Sequence, residues 1–251
     1  RSPYAHAKII SIDTSKAEKL EGVKAIITSA DFEDFPSEFV PNGEMVVNMK
    51  DITRNVMARE KVLYVGHTLA AVAATDEDVA EKALALIDVK YDVLPHVLEV
   101  EDAEKSDAPL LHDDMITIGV EPMPTSASNV AKRVEFGLGD VEKGFSEADL
   151  IVEREFTTQQ VHQGYIEPHA CLASVSEDGQ AELWCTTQGP FVVRNFCSKL
   201  LGFNAAQIRV TASEIGGGFG GKTVVYLEPL ALALSRKSCR PVKMEMNRAE
   251  V

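Results

Sequence analysis

Two periodicities run through the chain. Apolar residues that alternate with polar ones, or cluster in short β-branched runs, mark strands; apolar residues three and four apart mark helices. Lys8-Ile9-Ile10-Ser11-Ile12-Asp13 is a β-branched run. Thr14 or Ser15 can cap a short helix through Leu20, stopped by Gly22. Val23 to Thr28 predicts a second strand. Lys61 to Thr75 predicts two strand segments with a turn or bulge at Gly66-His67, the second being a nearly continuous apolar stretch from Leu69 to Ala74. Asp76 then caps a helix whose Val79, Ala80, Ala83, Leu84 and Ile87 form one apolar stripe. Asp88 to Val93 alternates and ends before Pro95. These elements predict one compact α+β domain.

From Glu101 to Asn129 the pattern breaks. Acidic residues, Pro109, Pro122, Pro124 and Ser126-Ala127-Ser128 read as a linker with little regular structure. A helical turn follows at residues 140–145. Asp149 to Thr158 alternates apolar and charged residues and predicts a strand with one exposed face. Ala170 to Val175 and Ala181 to Thr187 predict strands joined by the turn Glu177-Asp178-Gly179. Pro190 fits the first position of a helix closed by Gly202. Gln207 to Thr211 predicts a strand, residues 216–221 a glycine loop, and Thr223 to Lys237 mostly helix, with Pro229 kinking it or moving its start. Arg240 to Met246 predicts the last strand. The expected division is residues 1–107, a linker at 108–129, and a second domain at 130–251.

Composition narrows the function. The net charge of -14, from 39 acidic and 25 basic residues, repels phosphate backbones and argues against nucleic acid. No apolar run approaches the ~20 residues of a membrane-spanning helix. Cys171, Cys185, Cys197 and Cys239 show no CxxC spacing, so neither an iron–sulfur cluster nor a structural zinc is expected here. Buried thiols in a reducing cytoplasm are expected instead. Arg1 in place of an initiating Met and the lack of a stop signal at Val251 read as a piece of a longer protein.

Gly216-Gly217-Gly218-Phe219-Gly220-Gly221-Lys222-Thr223 is the densest feature. Five glycines in six positions imply unusual dihedrals or close approach to a ligand. Backbone N–H groups ahead of a helix would suit an anion or an oxo ligand. The string also satisfies the G-x-x-x-x-G-K-[ST] pattern of a nucleotide-binding loop. Against that stand the short remaining chain, which leaves little room for a magnesium-binding Asp, and Pro229 early in the next helix. A glycine-rich turn without a ligand, and a non-catalytic interaction module, are the other readings. Glu167 and His169, two apart, would share a face if they lay on a strand, without a third metal ligand in view; His67 reads as a core residue.

The glycine loop is similar to the molybdopterin-site loop of the xanthine dehydrogenase and aldehyde oxidase family, the molybdenum hydroxylases. Arg1-Ser2-Pro3-Tyr4-Ala5-His6-Ala7-Lys8-Ile9 resembles that family's α/β-hammerhead segment. Val65-Gly66-His67 and Tyr91-Asp92-Val93-Leu94-Pro95 continue it in order. Gly144-Phe145-Ser146-Glu147-Ala148-Asp149, Ile166-Glu167-Pro168-His169, Thr187-Gln188 and Arg240-Pro241-Val242-Lys243 also follow family order. The resemblance covers essentially the whole chain. It implies an α/β-hammerhead domain followed by the first part of a molybdenum-cofactor-binding α+β domain.

The resemblance also implies roles. Gln188 is expected to donate to a molybdenum oxygen. Gly218, Phe219, Gly220 and Gly221 are expected to approach the cofactor, Phe219 close to the metal's ligands. The cofactor is expected as bare molybdopterin or its cytosine dinucleotide, with 2Fe-2S clusters and FAD on partner domains or subunits. The rest of the molybdenum subunit, an oligomeric parent and a cytoplasmic setting are likewise expected. The family's general-base glutamate is expected beyond Val251, which leaves this piece inactive by itself. In xanthine-hydroxylating members a glutamate that bonds the purine follows the loop lysine; here that position is Thr223, which argues against xanthine as the main substrate.

Overall fold

The computed structural model describes residues 1–42 and 45–251. In chain order the first elements are β1 (Ala7–Asp13), α1 (Ser15–Glu18), β2 (Val23–Thr28), β3 (Phe39–Asn42), β4 (Met45–Asn48), α2 (Met49–Val56), β5 (Lys61–Val62), β6 (Ala70–Ala74), α3 (Glu77–Leu86) and β7 (Asp88–Val93). Then come α4 (Val100–Ala103), α5 (Val141–Glu147), β8 (Ala170–Val175), β9 (Ala181–Cys185), α6 (Pro190–Leu201), β10 (Ile208–Ala212), α7 (Glu228–Ser238) and β11 (Val242–Glu245). Two compact units result, one from residues 1–94 with 163–251 and one from residues 95–162.

In the first unit β1 lies between β5 and β7, antiparallel to both, with Ala7 opposite Val62 and Ile9 opposite Tyr91. β2 pairs with β6 and β3 with β4. Asp76 caps α3 as expected, its carboxylate accepting the Val79 N–H at 2.9 Å. A four-stranded sheet in the order β10-β9-β8-β11 forms the rest. β9 and β10 run parallel, joined across α6, the crossover that parallel strands require. Pro190 opens α6, and Gly202 ends it at φ 68°, a left-handed position that costs glycine little.

α7 packs against β8 and β11 and also against β2 and β6. A helix covered on several sides must be apolar around its circumference, and Leu230 through Leu234 are all buried. One core therefore contains Ile27, Ala71 and Ala73 together with Ala173, Leu183 and Leu232. Ser235, a polar residue buried on α7, is satisfied: its hydroxyl donates to the Arg240 carbonyl at 2.7 Å and accepts the Val175 N–H at 3.0 Å. His67 is fully buried, with Nε2 2.8 Å from the Arg54 carbonyl and Nδ1 accepting the Leu63 N–H, a structural role.

Three expectations need correction. α7 begins at Glu228, not Thr223, with Pro229 in its first turn, so the proline moves the start. Asp149 to Thr158 forms no strand. Alternation alone does not make one: a strand needs a ladder partner, and among the described residues none pairs with it. Cys171, Cys185 and Cys197 are buried thiols, but Cys239 is exposed, at the left-handed C-cap of α7.

The second unit is irregular apart from α4, α5 and an isolated bridge between Ile118 and Lys132. Asn129 stitches its first part, donating to the carbonyls of Ala103 and Pro109 and accepting the Leu111 N–H. α5 carries the expected cap, Asp140 accepting the Lys143 N–H.

Candidate functional site

Gln188 stands in the short connection between β9 and α6, and the glycine loop in the connection between β10 and α7. Parallel β9 and β10 end side by side, which brings the two connections together at one sheet end. The Gln188 side-chain oxygen accepts two loop N–H groups, from Gly220 at 3.1 Å and Lys222 at 3.2 Å. Its own backbone N–H donates to the Lys222 carbonyl at 2.9 Å, an oxygen that the Thr187 hydroxyl also reaches at 3.2 Å. With the oxygen committed to two donors, the orientation of the carboxamide is settled by its bonds. The NH2 group is left as the outward, donating end of an exposed side chain.

The glycines serve this packing. A Cβ at Gly218 would lie 2.5 Å from the Gln188 Oε1, and one at Gly216 would lie 2.7 Å from the Glu167 Cβ. Close approach is therefore a requirement of the chain's own side chains. Phe219, at the loop apex, has φ 50° and is 73% exposed. It is not an apolar plug. A large aromatic held both left-handed and in solvent costs stability and gives none back to the core. The N–H groups of Gly218 and Phe219 meet no acceptor among the described residues.

Lys222 points the other way. Its side chain is fully buried, with Nζ 2.8 Å from Glu167 Oε2, 3.4 Å from the Pro168 carbonyl and 5.1 Å from the centre of the Tyr165 ring. Burial alone would raise the Glu167 carboxyl; the bonds from Lys222 and Gly216 outweigh it and hold the carboxyl below its ordinary value. Glu167 precedes β8 in a loop, and His169 is buried and 2.8 Å from the Tyr165 hydroxyl. Among the described residues no group of three or more His, Cys, Asp or Glu is arranged to hold a metal ion. Thr223 donates its hydroxyl to the Gly220 carbonyl at 2.9 Å, bracing the loop and capping no helix.

This geometry does not build a nucleotide loop. The N–H groups of Gly216, Gly220, Gly221 and Lys222 already have acceptors within the chain. The lysine faces a carboxylate, and the next helix starts five residues after Thr223. What the exposed residues of the site offer is the Gln188 NH2, the acceptor-free Phe219 N–H and the Phe219 ring.

Comparison with known proteins decides the family. The family model described as molybdopterin cofactor-binding domain matches residues 123–251, and that described as aldehyde oxidase and xanthine dehydrogenase, a/b hammerhead domain, matches residues 1–95. The chain belongs to the xanthine dehydrogenase and aldehyde oxidase family of molybdenum hydroxylases. It is 31% identical to the probable hypoxanthine oxidase XdhD of Escherichia coli K12, covering 100% of this chain and 28% of that protein. It is 36% identical to the carbon monoxide dehydrogenase large chain of Afipia carboxidovorans, covering 90% of this chain and 28% of the relative. The solved quinoline 2-oxidoreductase of Pseudomonas putida 86 is similar across 100% of this chain and 30% of its own, with a TM-score of 0.82 and 29% identity. The chain thus spans less than a third of the length of these molybdenum hydroxylases. No helix among the described residues is long and apolar enough to cross a membrane.

Sequence reasoning singled out Gln188 and the loop but missed how Glu167 and Lys222 are joined. The loop pattern casts Lys222 as a phosphate ligand, and nothing local signals its burial.

Proposed function

We propose that this chain forms one wall of the active site of a molybdenum hydroxylase that oxidatively hydroxylates a carbon centre, with water as the oxygen source. The observation that carries the reading is the Gln188 carboxamide, whose oxygen is tied to the loop so that only its NH2 faces outward. Such a neutral donor suits an oxo ligand, since a carboxylate would repel one. Gln188, Gly218, Phe219, Gly220 and Gly221 would hold the cofactor. The outward donors supply its hydrogen bonds, and the exposed Phe219 ring supplies an apolar face. When bound, a molybdenum pterin, bare or as the cytosine dinucleotide, supplies the redox chemistry.

The general-base glutamate, 2Fe-2S clusters and FAD belong, in this proposal, to other parts of a cytoplasmic, oligomeric parent. In this proposal residues 1–107 form the hammerhead domain, 108–129 a linker and 130–251 the first part of the molybdenum-binding domain; the matches at 1–95 and 123–251 support two domains in that order. Thr223 lies at the substrate side of the loop. Its hydroxyl hydrogen is committed to Gly220, and it carries no charge with which to grip a purine N–H. N-heteroaromatics, aldehydes and related substrates fit better than xanthine.

The test is a substrate panel on the complete enzyme with a dye acceptor, alongside elemental analysis. Stoichiometric molybdenum in the parent, little in the isolated 251-residue chain, and no tenfold preference for xanthine or hypoxanthine are expected. Absence of molybdenum from the active parent would overturn the reading.

A further inference from the structure

One carboxylate oxygen gathers both ends of the glycine loop. Glu167 Oε2 accepts the N–H of Gly216, the first glycine, at 2.7 Å. The same atom accepts the Lys222 ammonium, just past the last glycine, at 2.8 Å. The Glu167 backbone N–H returns a bond to the Gly216 carbonyl at 3.4 Å. Lysine is almost never fully buried without a charge partner, so Lys222 cannot keep its place without Glu167. The floor beneath is equally close: a Cβ at Gly221 would lie 2.6 Å from the Tyr165 ring. Tyr165 is held in turn by His169 and, through its carbonyl, by Arg248 at 3.1 Å. These anchors are at the base of the loop, and the left-handed, exposed Phe219 is at its apex.

We propose that the Glu167–Lys222 pair is a positioning clamp that sets the path of the glycine loop and, through the Gly220 and Lys222 N–H groups, the aim of the Gln188 amide. The inference rests on the active-site reading above. The Lys222 ammonium is fully buried and Glu167 spends its bonds on Gly216 and Lys222, so the pair acts on the reaction through Gln188 and the loop backbone. An ammonium buried against a carboxylate holds one geometry more tightly than a neutral pair can, because charge-assisted bonds are shorter and stronger. Uncharged substitutes of similar size can match the folding stability of a buried ion pair without matching that direction.

The experiment compares Glu167→Gln, Lys222→Met and the double substitution Glu167→Gln/Lys222→Met in the complete enzyme. It reads melting temperature, hydrogen–deuterium exchange of residues 214–227, molybdenum content, and kcat and KM separately. Each single substitution should speed loop exchange by about tenfold or more and lower kcat roughly ten- to a hundredfold, with KM little changed, as for a lost charge-assisted bond. In the double variant no buried charge is left unpaired, so the melting temperature should recover while loop exchange stays fast and kcat stays low. Recovery of kcat together with melting temperature would make the pair merely structural and overturn the clamp, as would unchanged loop exchange in both single variants. If either single variant fails to fold, the double variant alone decides between the same two outcomes. The exchange readout needs no turnover, so it stands apart from the active-site reading, which fails if Gln188→Ala retains full molybdenum and full turnover.

Discussion

Gln188 and Lys222 bond each other in both directions. The Gln188 backbone N–H donates to the Lys222 carbonyl at 2.9 Å, and the Lys222 backbone N–H donates to the Gln188 side-chain oxygen at 3.2 Å. The exchange joins two connections separated by more than thirty residues and leaves the amide NH2 as the free end of the lock.

That asymmetry separates the two jobs of Gln188. Glu at this position can still accept both loop N–H groups but cannot donate, whereas Ala does neither. In the complete enzyme Gln188→Glu should therefore keep the loop in place yet lower turnover roughly ten- to a hundredfold, about 1.5–3 kcal/mol. Gln188→Ala should lose similar turnover and loosen the loop as well. Steady-state rates normalised to molybdenum, with loop hydrogen exchange, check both; full turnover in Gln188→Glu would remove the donor from the mechanism.

Gly218→Ala tests the same contact from the other side. Its φ is not in the left-handed region, and the nearest obstacle to the added methyl is the Gln188 side chain, whose oxygen lies 2.5 Å away. Displacing that side chain should cost about 1–3 kcal/mol and break the bonds to Gly220 and Lys222. Turnover should fall at least tenfold while circular dichroism stays unchanged. A variant as active as the wild type would show that the amide need not be held where it is.

Despite its pattern match the loop should bind no ATP or GTP. Its N–H groups at Gly216, Gly220, Gly221 and Lys222 are taken, and the lysine ammonium is sealed against Glu167. Calorimetry with and without magnesium should register no heat of binding; magnesium-dependent micromolar affinity would contradict the geometry.

Much of the fold was legible. β1, β2, β6, α3, β7, β8, β9 and α6 follow from period-two or period-3.6 patterning with Asp76, Pro190 and Gly202 as punctuation. β3, β4 and α2 passed unread. β3 and β4 are only four residues each, and the buried side of α2 includes Thr53, whose hydroxyl finds the Glu33 carbonyl at 3.4 Å. Asp149 to Thr158 carried the right alternation without the neighbour that turns alternation into a strand. In the site, Gln188 and the loop were visible through family resemblance. The partnership of Glu167 with Lys222 was not, since 55 residues separate them and burial of a lysine is decided by tertiary structure.

Glu228 supplies a pH dependence. It is fully buried at the start of α7, and burial raises its carboxyl above the ordinary value, although the carboxylate accepts the Tyr226 N–H at 2.8 Å. The folded state thus holds this proton more tightly than the unfolded chain does. Its contribution is greatest below the ordinary carboxylate range of about 4.3 and is lost as pH rises through the raised folded value. Glu228→Gln, which cannot ionise, should flatten the fall in melting temperature across that window and raise it at neutral pH. Identical pH profiles for the two proteins would show that burial does not raise the Glu228 carboxyl.

The shared core sets a schedule for synthesis. Ile27, Ala71 and Ala73 are made well before α7, the helix that covers β2 and β6, which lies more than 150 residues further along the chain. At about 5–20 residues per second, those side chains wait on the order of ten seconds without their cover. The nascent chain passes through an obligatory interval in which β2 and β6 are complete in sequence and unfinished in structure, the interval when a holding chaperone would matter most.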